Sequence, residues 1–156
     1  MSDAPLKRAW PVRGVVAGTA GTGAMTLAYA GIRALRGGVT TPLDYDDSLV
    51  PGEIVAKLIR LRHPTQHEEK DLGEGLRWSY GPIFGIWHVL LRRKLDEPLA
   101  SAVFGATLMS ATLSLFPLLG HTLPPWRWGP AVMATCVATH VAYVVTAAAV
   151  DDRLSG

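Results

Sequence analysis

Three long stretches of the sequence contain no Asp, Glu, Lys or Arg, and they constrain the fold more than any other feature. They cover residues 14–32, 98–120 and 128–150. An apolar helix of about 20 residues crosses the hydrocarbon core of a bilayer, whereas a surface helix of a soluble domain carries polar residues every few positions. Charged residues make up only 18% of the chain, against about 25% in typical soluble domains. The sequence therefore predicts an all-α, polytopic membrane protein forming a single domain over residues 1–156.

Four transmembrane helices fit this pattern. We predict spans at about residues 14–35, 75–91, 98–118 and 129–150. The second span is the shortest, is interrupted by Pro82, and has Arg77 near one end, from where a long side chain can reach the interface. Trp78, Tyr80 and Trp87 in the same segment suit the aromatic belts at membrane surfaces. Together the spans predict a four-helix transmembrane bundle.

The start of the first span raises the question of processing. Basic residues precede it, and it contains Ala28-Tyr29-Ala30, which resembles a signal-peptide cleavage site. The apolar run nevertheless continues through Gly31 and Ile32. We interpret it as a retained transmembrane helix.

About 40 mostly polar residues separate the first two spans. Within them, PGEIVAKLIRLRH places Ile54, Val55, Leu58 and Leu61 on one side of a helix and its basic residues elsewhere. This pattern predicts an amphipathic helix at about residues 52–62 that lies on the membrane surface. The alternative is that this helix packs on the spans. The flanking TTPLDYDD and HPTQHEEKDLGEG are predicted to be loops.

The distribution of basic residues predicts the orientation. Three precede the first span (Lys7, Arg8 and Arg13), three more lie in the link RRKLDEP, and the third link contains only Arg127. Because cytoplasmic loops are enriched in Lys and Arg, both termini are expected in the cytoplasm, with the protein in a bacterial cytoplasmic (inner) membrane. The seven basic residues of the segment Arg33 to Arg77 would then lie outside, which runs against the same rule.

Small residues recur every four positions in each predicted span. GTAGTGAMT at 18–26 resembles a phosphate-binding glycine loop, but Ala24-Met25 stands where that loop needs Lys and Ser or Thr. Close helix packing explains these residues better. The stripes are Gly14, Gly18 and Thr22; Gly81 and Gly85; Ala102, Ala106, Ser110 and Ser114; and Ala131, Thr135 and Thr139. They predict a tight bundle or a homo-oligomer, with a hydroxyl-lined polar path as the alternative.

Two histidines, His88 and His140, lie within predicted spans and are the candidate functional polar residues. Ionisable groups inside a membrane are costly and often functional, although a neutral imidazole bonded to a hydroxyl or carbonyl is the commoner case. His63 and His67, with Glu68 and Glu69 beside them, have the ligand types of a divalent metal site. Since their segment reads as a solvated link, we predict no metal, no cofactor and no catalytic residue.

The stretch FPLLGHTLPPWRWGP at 116–130 is interpreted as the connection between the last two spans. Gly120 suits a helix C-terminus, and the two prolines after it prevent the helix from continuing. His121 therefore needs no catalytic explanation. The run FPLLGHTLPP followed by THVAYVVTAAAVDDRL resembles the C-terminal half of the YagU-like family of bacterial inner-membrane proteins, over roughly residues 80–153. By this resemblance, Phe116, Pro117, Gly120, Pro125 and His140 correspond to family positions, and an inner-membrane helical protein is implied.

These observations favour a structural or partner-binding role, as an oligomer or a subunit of a membrane assembly. A small transporter or proton-handling protein that uses His88 and His140 is the second hypothesis, and an enzyme acting on lipid is the third. A net charge of +2 with no basic patch argues against nucleic acid. The single cysteine, Cys136, cannot form an intrachain disulfide and is expected to pack as a small apolar residue.

Overall fold

The fold is all-helical over the residues that the computed structural model describes, which are 9–35, 54–56, 58, 59, 65–119 and 123–156. Four long α-helices follow one another along these residues. They are α1 (Trp10–Leu35), α2 (Gln66–Arg92), α3 (Leu99–Leu119) and α4 (Pro130–Ser155), with a short 3-10 helix (Pro125–Arg127) before α4. The all-α prediction is thus confirmed.

Three of these helices, α1, α3 and α4, are long and apolar enough to cross a membrane. The shortest of them, α3, has 21 residues, which at 1.5 Å per residue is about 31 Å and matches the hydrocarbon core. The helices agree with the predicted spans 14–35, 98–118 and 129–150, although α1 begins earlier at Trp10 and α4 continues to Ser155. Absence of charge over 20 residues was sufficient to locate them.

Helix α2 differs most from its prediction. It covers Gln66–Arg92 instead of residues 75–91, so the predicted loop HPTQHEEKDLGEG is helical from Gln66 onward. The cause is a capping box: Thr65 Oγ1 accepts from the backbone N–H of Glu68, and the Glu68 carboxylate accepts from the N–H of Thr65 at 2.8 Å. The helix also continues through Pro82 without a break. Because its first turns are polar, α2 is not among the three apolar helices.

The helices pack antiparallel around a small apolar core. Helix α1 lies along both α2 and α4, whereas α3 contacts α4 and α2 over shorter stretches. The core consists of Ala17, Phe104, Leu108, Tyr143 and Ala147. The Phe104 ring lies 4.9 Å from His88 and 5.9 Å from Tyr143, measured between ring centroids. Helix α3 therefore leaves most of its surface free of contact with the other described helices.

Part of the predicted amphipathic segment lies outside the described residues. Residues 54–56 and Leu58 are helical, and the Ile59 N–H bonds to the Val55 carbonyl at 2.9 Å. Ala56 is buried, whereas Leu58 and Ile59 are exposed. A surface helix over the full range 52–62 remains a prediction.

Candidate functional site

Four glycines form the closest helix contact in the described structure. Gly14 and Gly18 of α1 lie against Gly81 and Gly85 of α2. A Cβ added at Gly85 would overlap the backbone of both Gly14 and Gly18, and one added at Gly18 would overlap the Gly81 carbonyl oxygen. The two stripes of small residues thus pack against each other, with the backbones of α1 and α2 in direct contact.

The small residues of α3 have a different environment. Ala102, Ala106, Ser110 and Ser114 are all exposed, so this stripe faces away from the other described helices. The Ser114 hydroxyl donates to the Ser110 carbonyl at 2.6 Å, which leaves no free proton on that side chain. None of the other described helices therefore covers this stripe.

His140 lies between α4 and α3 and is 9% exposed. Its Nδ1 is 2.7 Å from the carbonyl oxygen of Cys136, and its Nε2 is 2.9 Å from Thr112 Oγ1. A carbonyl can only accept, so Nδ1 carries the proton and Nε2 accepts from the Thr112 hydroxyl. Both nitrogens of a neutral imidazole are satisfied by this arrangement.

His88 is fully buried on α2 and belongs to a separate set of contacts. Its Nε2 lies 3.2 Å from Ser101 Oγ, and Ser101 Oγ in turn donates to Glu97 Oε1 at 2.9 Å. Since the Ser101 proton is already used, His88 Nε2 is the donor to Ser101. His88 Nδ1 is buried with no hydrogen-bond partner among the described residues. The structure does not bring His88 and His140 into contact through these bonds.

The most concentrated electrostatic feature is a charged cluster where α1 begins and α2 and α4 end. Asp151 is fully buried, and its Oδ1 accepts from Nε and Nη2 of Arg13 at 2.9 and 2.7 Å. Its Oδ2 accepts from Arg92 Nη1 at 2.6 Å. Arg92 also bonds Asp152 and lies 3.2 Å from Glu97 Oε1. We call Arg13, Arg92, Glu97, Asp151 and Asp152 the charged cluster.

A cavity of about 480 Å³ opens beside this cluster. It is lined by Trp10 and Arg13 from α1, by Val89 and Arg92 from α2, and by Asp151 and Ser155 from α4, with Arg93 just after α2. The Arg93 guanidinium lies over the Trp10 ring, 5.5 Å from its centroid. Three guanidinium groups and one carboxylate therefore face the cavity.

The cluster was missed by the sequence analysis, because the fourth span was ended at Val150, one residue before Asp151. The signal was present in the orientation argument, which places Arg13 and the RRKLDEP link at the same end of the bundle. A buried carboxylate at that end is the expected partner for such arginines. The sequence analysis also did not identify the hydrogen bond by which Tyr143 joins α4 to α2. Its hydroxyl donates to the Gly81 carbonyl at 2.6 Å.

The remaining predicted positions are only partly covered by the described residues. In the described part of the chain, no group of three or more His, Cys, Asp and Glu is placed to hold a metal ion. Pro117 lies inside α3, Phe116 is half-buried, and Pro125 begins the 3-10 helix. Gly120, His121 and His63 lie outside the described residues, as does the side chain of His67. Cys136 is buried, and its sulfur lies 3.9 Å from the Met109 sulfur.

Comparison with known proteins adds no further constraint, because no family model, curated protein or solved structure matches this chain. The three apolar helices make it consistent with a small membrane protein.

Proposed function

We propose that this protein is a four-span structural component of a bacterial cytoplasmic membrane that associates through α3 with a second copy of itself. The observation that carries the proposal is the unused stripe on α3. Two stripes of the same kind, on α1 and α2, pack directly against each other. Small residues are needed where two helices come into such close contact. The stripe of Ala102, Ala106, Ser110 and Ser114 has no helix against it. An isologous pair, α3 against α3, would bury it on both copies.

The four-span topology is supported by the charged cluster. The bond between Arg13 and Asp151 joins the start of α1 to the end of α4. These two helix ends therefore lie at the same end of the bundle. An even number of crossings is then required, whereas α1, α3 and α4 supply three. Helix α2 supplies the fourth, since its last residue, Arg92, reaches the same carboxylate. Its 27 residues are long enough to cross.

The proposed orientation of the protein in the membrane is based on the basic residues at the end of the bundle that contains the charged cluster. Arg13, Arg92, Arg93 and Lys94 lie there, whereas Arg127 is the basic residue between α3 and α4. Counted over the N-terminal segment and the two short links, the positive-inside rule places this end in the cytoplasm, whereas the seven basic residues from Arg33 to Arg77 oppose that orientation. Both termini are cytoplasmic in this proposal, and the YagU-like resemblance of residues 80–153 is in keeping with an inner-membrane location.

The alternative, a transporter or proton-handling protein, has less support from the contacts. Eight hydroxyls of the described helices each donate to a carbonyl of the preceding turn. They belong to Thr19, Thr22, Thr26, Ser79, Thr107, Ser114, Thr135 and Thr139. Such hydroxyls satisfy their own helix and offer little to a passing ion or proton. His88 and His140 have separate partners, so no shared path links them through the bonds of the described residues.

The dimer is tested by a large side chain on the stripe. We expect Ala106→Phe to weaken self-association in lipid vesicles at least tenfold, because the ring holds the two backbones apart. Val145→Phe is the matched control, since Val145 is exposed on α4 away from the stripe. Single-molecule photobleaching over a range of protein-to-lipid ratios measures the dimer fraction. A wild-type protein that stays monomeric, or an Ala106→Phe protein that dimerises as well as wild type, would contradict the proposal.

A further inference from the structure

We propose that the cavity beside the charged cluster binds the phosphate group of an anionic lipid in the cytoplasmic leaflet. The proposal relies on the membrane placement given above but not on the α3 dimer. It rests on the charge of the cavity, on the unused N–H donors beside it and on its position in the bundle.

One of the three arginines that line the cavity has no carboxylate partner among the described residues. Arg13, Arg92 and Arg93 face it, and Asp151 is the only carboxylate among the residues that line it. Arg13 and Arg92 both bond to Asp151, and Arg92 also bonds Asp152. Within the described residues, Arg93 has no carboxylate partner; its guanidinium lies over Trp10 instead. Arg13 and Arg92 are therefore neutralised by Asp151, Asp152 and Glu97, whereas the Arg93 guanidinium keeps its positive charge beside the cavity, and an anion is its complementary ligand.

Donors for such an anion are available in a suitable arrangement. A guanidinium has five N–H groups, and Arg13 uses only Nε and Nη2 on Asp151, which leaves Nη1. The Arg93 guanidinium carbon lies 5.5 Å from the centroid of the Trp10 ring, and its N–H groups, which form no hydrogen bond among the described residues, are available for a bidentate contact with a phosphate. Ser155 also lines the cavity, but its hydroxyl proton is donated to the Asp152 carbonyl, so the donors for an anion are those of the arginines. The volume of about 480 Å³ lies within the range of small-molecule sites.

The position of the cavity selects a lipid over a soluble phosphate. It lies where α1 begins and where α2 and α4 end, beside the apolar lengths of these helices. Lipid phosphates are found at this level, and an interfacial tryptophan such as Trp10 is typical of it. Basic pockets between transmembrane helices on the cytoplasmic side are suited to anionic headgroups.

The test compares three probes on the purified full-length protein by native mass spectrometry. Phosphatidylglycerol carries a net negative charge, phosphatidylcholine carries a phosphate without net charge, and glycerol 3-phosphate carries the phosphate without acyl chains. We expect phosphatidylglycerol to bind at least tenfold more tightly than the other two. Arg93→Gln should weaken its binding about tenfold, the loss of one charge-assisted contact. Arg127→Gln, a change of the same kind at the other end of the bundle, should leave it unchanged.

Each result supports or overturns the proposal. Equal binding of phosphatidylglycerol by wild type and Arg93→Gln would overturn the site. Tight binding of glycerol 3-phosphate, lost in Arg93→Gln, would support the phosphate chemistry but overturn the lipid as its source. Arg93 is exposed and forms no contact in the core, so the variant is expected to fold. Because Ala106→Phe changes dimerisation and not this cavity, failure of one proposal is distinguishable from failure of the other.

Discussion

Asp151 shows how a single residue can determine the arrangement of three helices. It lies on α4, is fully buried, and accepts hydrogen bonds from arginines of α1 and α2. A carboxylate in such a place is tolerated only because both of its oxygens have charged donors, and these donors in turn depend on it. Among the described residues, the side-chain carboxylate of the neighbouring Asp152 bonds only to Arg92, and this side chain is 58% exposed. The two adjacent carboxylates therefore contribute very differently to the fold.

We expect Asp151→Asn to destabilise the bundle by about 2–3 kcal/mol, because Arg13 and Arg92 would be left with an uncompensated charge in a partly buried place. Asp152→Asn is the matched control and should cost less than about 1 kcal/mol, as is usual for an exposed pair. Unfolding of the detergent-solubilised protein, followed by circular dichroism during titration with sodium dodecyl sulfate, compares the two variants. Equal stability of both would show that the buried pair contributes nothing beyond a surface contact.

At the scale of helices, the fold depends on the packing of the stripe of small residues on α1 against the stripe on α2. The crossing of α1 with α2 has no room for a side chain at Gly14, Gly18 or Gly85, because the nearest atoms belong to the opposite backbone. Backbone atoms cannot move aside as the end of a flexible side chain can. By contrast, nothing lies within 4 Å of a Cβ built at Gly23, although this glycine is in the same helix.

Gly85→Ala is therefore expected to destabilise the bundle by about 2 kcal/mol or more, the cost of forcing two packed backbones apart. Gly23→Ala should be neutral or stabilising by up to about 1 kcal/mol, since alanine favours a helix over glycine. Both are measured by the same detergent titration. The reverse order of stability would mean that α1 and α2 do not cross at this glycine.

The positions of the helices could be predicted where they depend on neighbouring residues in the sequence. The pairing of the helices could not, because it depends on tertiary packing. The spans α1, α3 and α4 follow from charge-free runs, a property that can be read along the chain. The start of α2 was also local, since Thr65 and Glu68 have the spacing of a capping box, but the polar composition favoured a loop. The small stripes were recognised, whereas the pairing of α1 with α2 and the outward position of Ser110 depend on the packing of the whole bundle. The same holds for Thr112, 28 positions from its partner His140.

For the whole molecule, the cluster and the apolar helices impose a joint condition on topology. Arg13 and Asp151 must lie on the same side of the membrane, and so must Arg92, which binds the same carboxylate. In the proposed four-span topology, the link between α2 and α3 is on the side of both termini, and the link between α3 and α4 is on the other. The proposal has α2 cross as well, despite a composition more polar than that of the three apolar helices.

The topology is tested with single cysteines introduced at Lys94 and Arg127 in a Cys136→Ala background. Both positions are exposed and lie in links that join the helices. An impermeant thiol reagent applied to intact bacterial cells should label the Arg127→Cys protein and leave the Lys94→Cys protein unlabelled until the membrane is permeabilised. A cysteine at Ser2 should behave like the one at Lys94, because α1 and α2 together return the chain to its starting side. Labelling at Lys94 but not at Ser2 would mean that α2 does not cross, and labelling at both but not at Arg127 would invert the orientation while preserving the four spans.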